Sequence, residues 1–174
     1  MLCRARPQHF RASQITNLPE ATPNSLPTTK PEYSAGRCAA LDIGEKRVGV
    51  AISDELNITV RPLAPIQRTS WKRLLQDVSE LVRHYDARTL VIGLPLRLEG
   101  TEGSAAAGIR QLAEKFRLSL EIPVYLQDER LTTFQARENL QAMKYSQAEV
   151  ERRLDSEAAA IILRDFIAGQ KVDS

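Results

Sequence analysis

The run Thr89-Leu-Val-Ile-Gly93 shows no alternation of apolar and polar residues. A strand of that kind has to be covered on both faces, as happens when helices flank a largely parallel sheet. The neighbouring segments supply those helices. Before the run, Trp71, Leu74, Leu75, Val78, Leu81, Val82 and Tyr85 recur at steps of three and four. After it, Ile109, Leu112, Ala113 and Phe116 do the same. The chain is thereby committed to an α/β fold.

The remaining elements fill in the order. Residues 37–44 and 47–53 read as two strands joined through Gly44-Glu45-Lys46, a hairpin signal. Residues 58–63 read as a third strand, with Pro62 marking an edge. Residues 123–126 form a fifth strand, after the run at 89–93. Thr132 or Thr133 opens a helix to about Met143, and a last helix runs from about Leu154 to the stop signal at Gly169. The order βββαβαβαα predicts a five-stranded mixed sheet, a three-strand meander followed by βαβα, with helices on both faces. Right-handed crossovers set the fourth and fifth strands parallel to the first, and ligands in such sheets bind beyond the strands' carboxyl ends.

A length of 174 residues suits one compact domain with a tail rather than a large two-domain enzyme. Residues 1–36 hold five of the nine prolines and no apolar periodicity. They predict a disordered leader ahead of a domain over 37–170, with a short tail at 171–174. No run reaches the eighteen or so apolar residues of a membrane span, and the start lacks the apolar core of a secretory signal. A cytoplasmic protein that binds no membrane is therefore expected. Cys3 and Cys38 stand apart from any Cys/His cluster, and His9 and His84 are the only histidines. Zinc sites and histidine triads are poor fits, which leaves carboxylates to carry any catalysis. The net charge is +2, yet residues 1–37 alone hold five basic and two acidic groups. The body is thus close to neutral, and binding to nucleic acid has to rest on local patches.

Three acids stand out. Asp42 ends the first strand, Asp128 and Glu129 end the fifth, and Asp155 shares a helical stripe with Ala158, Ala159, Ile162 and Phe166. If the first and fifth strands are parallel neighbours, the acids at their ends converge. An inward carboxylate costs several kcal/mol unless something pairs with it, and a magnesium ion with oxygen ligands would do so. Each acid also has a plainer reading. Asp42 can be a turn aspartate, Asp155 the cap of a helix starting at Ser156, and Glu129 a surface partner of Arg130.

Four ordered motifs resemble a known family: Leu41-Asp-Ile-Gly-Glu-Lys-Arg-Val-Gly-Val-Ala51; Val91-Ile-Gly-Leu-Pro-Leu96 with Gly100-Thr-Glu-Gly103; Asp128-Glu-Arg-Leu-Thr-Thr133; and Asp155-Ser-Glu-Ala-Ala159 with Ile161-Ile-Leu163. They are similar to the YqgF-type pre-16S ribosomal RNA nucleases, also described as Holliday junction resolvases, over about residues 38–168. The resemblance implies a ribonuclease H-like fold and an acidic triad at Asp42, Glu129 and Asp155. Two positions depart from the family's pattern. Arg97 stands where its glycine-rich loop usually carries Asn. The stretch Ser146-Gln-Ala-Glu-Val-Glu-Arg-Arg-Leu154 carries Glu149 and Glu151 where the family is strongly basic, leaving Arg152 and Arg153 to grip phosphate.

The implied chemistry is phosphodiester hydrolysis with two Mg²⁺ (or Mn²⁺) ions, Asp42 bridging both and Glu129 and Asp155 holding one each. Lys46, Arg47, Arg97, Arg130, Arg152 and Arg153 would steady the nucleic-acid backbone, or simply be solvated surface charges. Residues 100–104 open a helix whose N–H groups suit a phosphate, or are a plain cap. Tyr125 and Phe134 read as core residues. The implied substrate is pre-16S rRNA, with a branched DNA junction as the alternative, and the oligomeric state is left open. Two other classes compete. Asp-x-Gly before a small-residue strand also opens the phosphate loop of actin-like ATPases and sugar kinases, which close two such domains around the nucleotide. A catalytically silent nucleic-acid-binding module would keep the fold without the chemistry.

Overall fold

The computed structural model describes residues 36–97, 101–130 and 132–172. The expected leader apart from Gly36, together with Gly100, Leu131 and the end of the expected tail, lies outside the described residues.

Strand β1 (Arg37–Ile43) pairs antiparallel with β2 (Arg47–Ser53) across the tight 44–46 connection, setting Asp42 opposite Gly49. Two short strands, β3 (Val60–Pro62) and β4 (Ile66–Gln67), both pair with β2 in place of the single strand expected over 58–63. Pro62 and Pro65 carry no N–H, so the ladder breaks between them. Helix α1 (Trp71–Tyr85) is capped by Ser70, whose Oγ accepts the Arg73 N–H at 3.3 Å. It leads to β5 (Ala87–Leu94), parallel to β1. Helix α2 (Ser104–Ser119) leads to β6 (Val124–Asp128), parallel to β5. The sheet order is β3-β2-β1-β5-β6, with β4 beside β2. The mixed α/β architecture is as expected, with one strand more than the five predicted.

Helices α3 (Thr132–Ala142) and α4 (Gln147–Val172) complete the chain. Helix α4 starts seven residues before the expected Leu154, and the reason is a capping box. Glu149 Oε2 accepts from the Ser146 N–H at 3.0 Å and from its hydroxyl at 2.7 Å, while Ser146 Oγ accepts the Glu149 N–H at 3.4 Å. Glu149 is therefore a cap rather than a misplaced charge in a phosphate-binding stretch.

The sheet separates two cores. On one face Leu41, Val48, Val50, Ile52, Leu90 and Ile92 pack against α1 and α2 through Leu74, Val78 and Phe116. On the other Cys38, Ala40, Ala51 and Val91 pack against Ala159, Ala160, Ile162 and Leu163 of α4. Helix α3 rests on α4 through Ala136 and Leu140. Those inward positions put Phe134 on the opposite side of α3, where it is 63% exposed instead of joining the core. Tyr125 does pack inward, against Phe166.

Candidate active site

Alternation along β1 carries Cys38, Ala40 and then Asp42 onto the α4 face of the sheet. The residues level with Asp42 on both adjoining strands are glycines. Gly49 is its antiparallel partner on β2, and Gly93 follows from the parallel pairing of Leu41 with Ile92 on β5. Neither position has room for a side chain. A Cβ on Gly49 would overlap the carbonyl oxygen of Asp155, so α4 meets β2 backbone to backbone. Ser156 fixes that contact, its Oγ accepting the Val50 N–H at 3.3 Å. A Cβ on Gly93 would overlap Glu129 Oε2 and lie 2.7 Å from Ile162 Cδ1.

This differs from the expected route to convergence. The strands ending in Asp42 and Glu129 are not neighbours, because β5 runs between β1 and β6. Two strand spacings, roughly 10 Å, would keep the acids apart across an ordinary residue. Gly93 removes that obstacle, and the Glu129 carboxylate leans into the space it leaves.

The electrostatics follow from this crowding. Burial pushes the Glu129 carboxyl from its ordinary 4.5 up to about 7, helped by the charges of Asp42 and then Asp128. Burial likewise raises Asp42 from 3.8 to about 6, with a further push from Asp155. Asp42 is thus the hub, interacting with one acid on each side. Arg47 neutralises Asp155, its Nε 2.9 Å from Oδ2, and its Nη2 donates to the Glu151 carbonyl at 3.2 Å. Glu129 Oε2 is buried with no hydrogen-bond partner. Among the described residues no three Asp, Glu, His or Cys side chains form a ready ligand set for one ion. The acids meet in pairs, through Asp42.

The plainer readings fail on geometry. Arg130 bonds Asp128 through its Nε at 2.7 Å, and Glu129 turns inward. Asp155 lies well inside α4 and caps nothing, while Asp42 is a ladder residue of β1.

A family model described as "RuvX: Holliday junction resolvase" matches residues 36–169. The chain belongs to the RuvX family.

Relatives are similar over most of the chain, and a solved structure shares its fold. A "Putative pre-16S rRNA nuclease" of Anaeromyxobacter sp. (strain Fw109-5) is 37% identical over 134 residues, covering 77% of this chain and 98% of the relative. One of the same name from Syntrophus aciditrophicus (strain SB) is 40% identical over 141 residues, covering 79% and 94%. The structure "T. thermophilus RuvC in complex with Holliday junction substrate" shares the fold with a TM-score of 0.51 at 14% identity, covering 80% of this chain and 98% of that one.

In this RuvX chain the predicted cations are spread widely. Lys46 is exposed at the β1–β2 turn. The Arg97 guanidinium lies over Gly103, the N-cap of α2, where a Cβ would stand 3.6 Å from Nε. Arg130 sits beside Glu129 on the exposed side. Arg152 and Arg153 are exposed on α4, with Arg153 stacked 4.5 Å from the centre of the Tyr145 ring. The sequence reading missed Gly49, Gly93 and Ser156 as builders of the site. A glycine inside a strand marks a close approach of backbone or ligand, and both glycines were visible on that rule.

Proposed function

We propose that this RuvX chain is a metal-dependent hydrolase that cleaves phosphodiester bonds of RNA, in 5′-end processing of pre-16S rRNA in the cytoplasm. Pre-ribosomal RNA is the partner named by the curated relatives, and no described helix is long and apolar enough to cross a membrane. A branched DNA junction is the second reading, favoured by the description of the family model.

The observation that carries the proposal is the buried, unpartnered Glu129 Oε2 beside a second acid whose proton affinity burial also raises. Such a pair calls for positive charge, and among the described residues no Lys or Arg ion-pairs with either member. Oxygen donors of this kind fit Mg²⁺ or Mn²⁺. Asp42, Glu129 and Asp155 would hold the cations, and two ions would turn three negative charges into a net positive site. Metal bound there would acidify a water and neutralise charge on the scissile phosphate.

The chain's own groups do the rest. Asp42, shared between its two neighbours, fixes where charge is concentrated. Arg47 bridges Asp155 and the α4 backbone, so it can pass from the carboxylate to an incoming phosphate without leaving the site. Lys46, Arg97 and Arg130 would steady flanking phosphates.

The test incubates purified protein with labelled 16S precursor RNA and with a four-way DNA junction, in Mg²⁺ or Mn²⁺, beside an Asp42→Asn variant. Metal-dependent cutting of RNA by the parent alone is expected. Cutting of the junction alone would select the second reading. Binding without cutting would make the chain a silent module, and equal cutting by both proteins would end the assignment.

A further inference from the structure

Helix α4 carries Asp155 toward the carboxylates and, on the adjoining stripe, lines a separate cavity of about 670 Å³ with Arg152, Arg153 and Arg164. Arg61 of β3 also borders the space, but its guanidinium lies over the ring of Tyr85 in α1, on the other face of the sheet. Two kinds of surface meet in the space: the three arginines of α4, and an apolar lining of Leu63, Pro65, Leu140 and Met143. Met143 is 63% exposed although nothing about a turn requires a large apolar residue there.

The charge is strongly one-sided. Among the described residues Glu157 is the only acid in the lining, and Arg164 answers it, with Nη1 3.4 Å from Oε1. Arg152 and Arg153 have no carboxylate of a described residue within ion-pair distance, although Glu149 feels both from one turn away. Arg153 lies flat over Tyr145, which lines the same cavity.

Cations alone would suit the phosphates of any nucleic acid. The apolar floor narrows the choice. A duplex keeps its base faces inside its own stack, whereas an unpaired strand offers phosphates to arginines and base faces to aromatic and apolar side chains together. From this lining we infer that the cavity binds an unpaired nucleotide of a single-stranded segment beside the scissile bond. Its base lies against Leu63, Met143 and Tyr145, and its phosphates on Arg152 and Arg153. Asp155 and Arg164 are about 14 Å apart along the helix axis at 1.5 Å per residue. A strand seated in the cavity therefore reaches the carboxylates within a few nucleotides, at about 3.4 Å each when stacked. The inference rests on the nuclease reading and adds to it that the substrate is single-stranded on the α4 side of the cut.

The experiment measures fluorescence anisotropy in EDTA, where cleavage is silent. The probes are a labelled 12-nucleotide single-stranded RNA, the same sequence as single-stranded DNA, and each as a duplex. Proteins are the full chain, Arg152→Glu and Met143→Asp, two exposed positions, with thermal melting to show that each variant folds. Both variants should lose tenfold or more in affinity for single strands and less than threefold for duplexes. The two single strands separate RNA from DNA as the source of the segment. Unchanged single-strand binding by both folded variants would overturn the inference, as would equal losses on single strands and duplexes. Displacement of the RNA by a polyglutamate peptide of equal charge, as effectively as by unlabelled RNA, would reassign the cavity to a protein partner. Cleavage of precursor RNA by the parent is scored separately, so a failed cavity leaves the nuclease reading standing. A parent that neither cuts nor binds would remove both.

Discussion

The two faces of the sheet are built on opposite principles. Toward α1 and α2 the strands present Leu41, Val48, Val50, Ile52, Leu90 and Ile92, and the helices answer with Leu74, Phe116 and Trp71, whose ring meets Phe116 edge-on at 4.9 Å. Toward α4 they present Cys38, Ala40, Ala51 and the two glycines, and the helix answers with Ala159 and Ala160 beside Ile162 and Leu163. Large side chains hold the first face together through apolar area removed from water. The second adds closeness to the burial of Val91, Ile162 and Leu163, with small residues letting helix and strand backbones touch around Asp42. Only the second face can bring Asp155 and Glu129 up to Asp42, because only there is nothing in the way.

The sharpest way to break this contrast is to change volume in opposite directions on the two faces. Leu41→Ala removes fully buried methyls and should cost about 3 kcal/mol in urea unfolding. Gly49→Ala adds one methyl and should cost as much or more, since its Cβ would meet the Asp155 backbone and not a side chain that can swing aside. A loss below about 0.5 kcal/mol for Gly49→Ala would mean that α4 can slide, and that the close contact does not set the site.

That pair of positions also shows what was legible beforehand. Thr89-Leu-Val-Ile-Gly93 announced a strand covered on both faces, and it is an interior strand of the sheet, between β1 and β6. The acids at strand ends were equally plain, because burying charge without a partner is costly whatever the fold. Strand order was not legible. The pattern makes β5 and β6 parallel to β1 but does not say which of them lies beside it, and so Asp42 and Glu129 were expected on neighbouring strands. The start of α4 was hidden for a different reason. Ser146 and Glu149 form a cap signature, yet beside Glu151, Arg152 and Arg153 the glutamate read as part of a charged stretch. Phe134 shows the limit of residue type as a guide, since an aromatic on the wrong side of a helix is exposed whatever its hydrophobicity.

Next in size is the chemistry on the small-residue face. Removing a group that merely supports a metal ligand commonly costs 10–100-fold, so Asp42→Asn, at the hub itself, should lower the cleavage rate by more than about a hundredfold. The same variant should be no less stable than the parent in metal-free buffer at pH 8, because it deletes a buried negative charge. Loss of stability together with activity would show Asp42 to be a packing residue and dissolve the functional distinction between the faces.

The pH dependence separates the faces further. Both Asp42 and Glu129 hold protons more tightly folded than unfolded, at about 6 and about 7 against ordinary values of 3.8 and 4.5. Their contribution to stability is therefore full below about pH 4 and is lost as pH rises through 6 to 7, when both must ionise inside the fold. Each tenfold difference in proton affinity between the folded and unfolded chain corresponds to about 1.4 kcal/mol, and each acid differs by more than a hundredfold, so a decline of several kcal/mol, up to about 6, is expected in EDTA between pH 4 and 8. Mn²⁺ at pH 8 should restore much of it by binding the folded state alone. Urea titrations of the parent and of Asp42→Asn at three pH values would read this out, with the variant showing the flatter profile. A parent whose stability rises across that window would contradict the raised acids.

The smallest effect serves as the control. Gly108 lies in α2, exposed, and a Cβ there would meet nothing within 4 Å. Its backbone is helical and carries no strain that glycine is needed to relieve, so Gly108→Ala only removes freedom from the unfolded chain. A gain of roughly 0.5–1 kcal/mol is expected, with cleavage unchanged. The same chemical change thus carries opposite signs at Gly49 and Gly108, and the difference lies wholly in what stands opposite the missing side chain. Equal effects at the two positions, whether both mild or both severe, would mean that backbone propensity and not the proximity of α4 governs these glycines. The claim that the small-residue face is shaped around its acids would then lose its support.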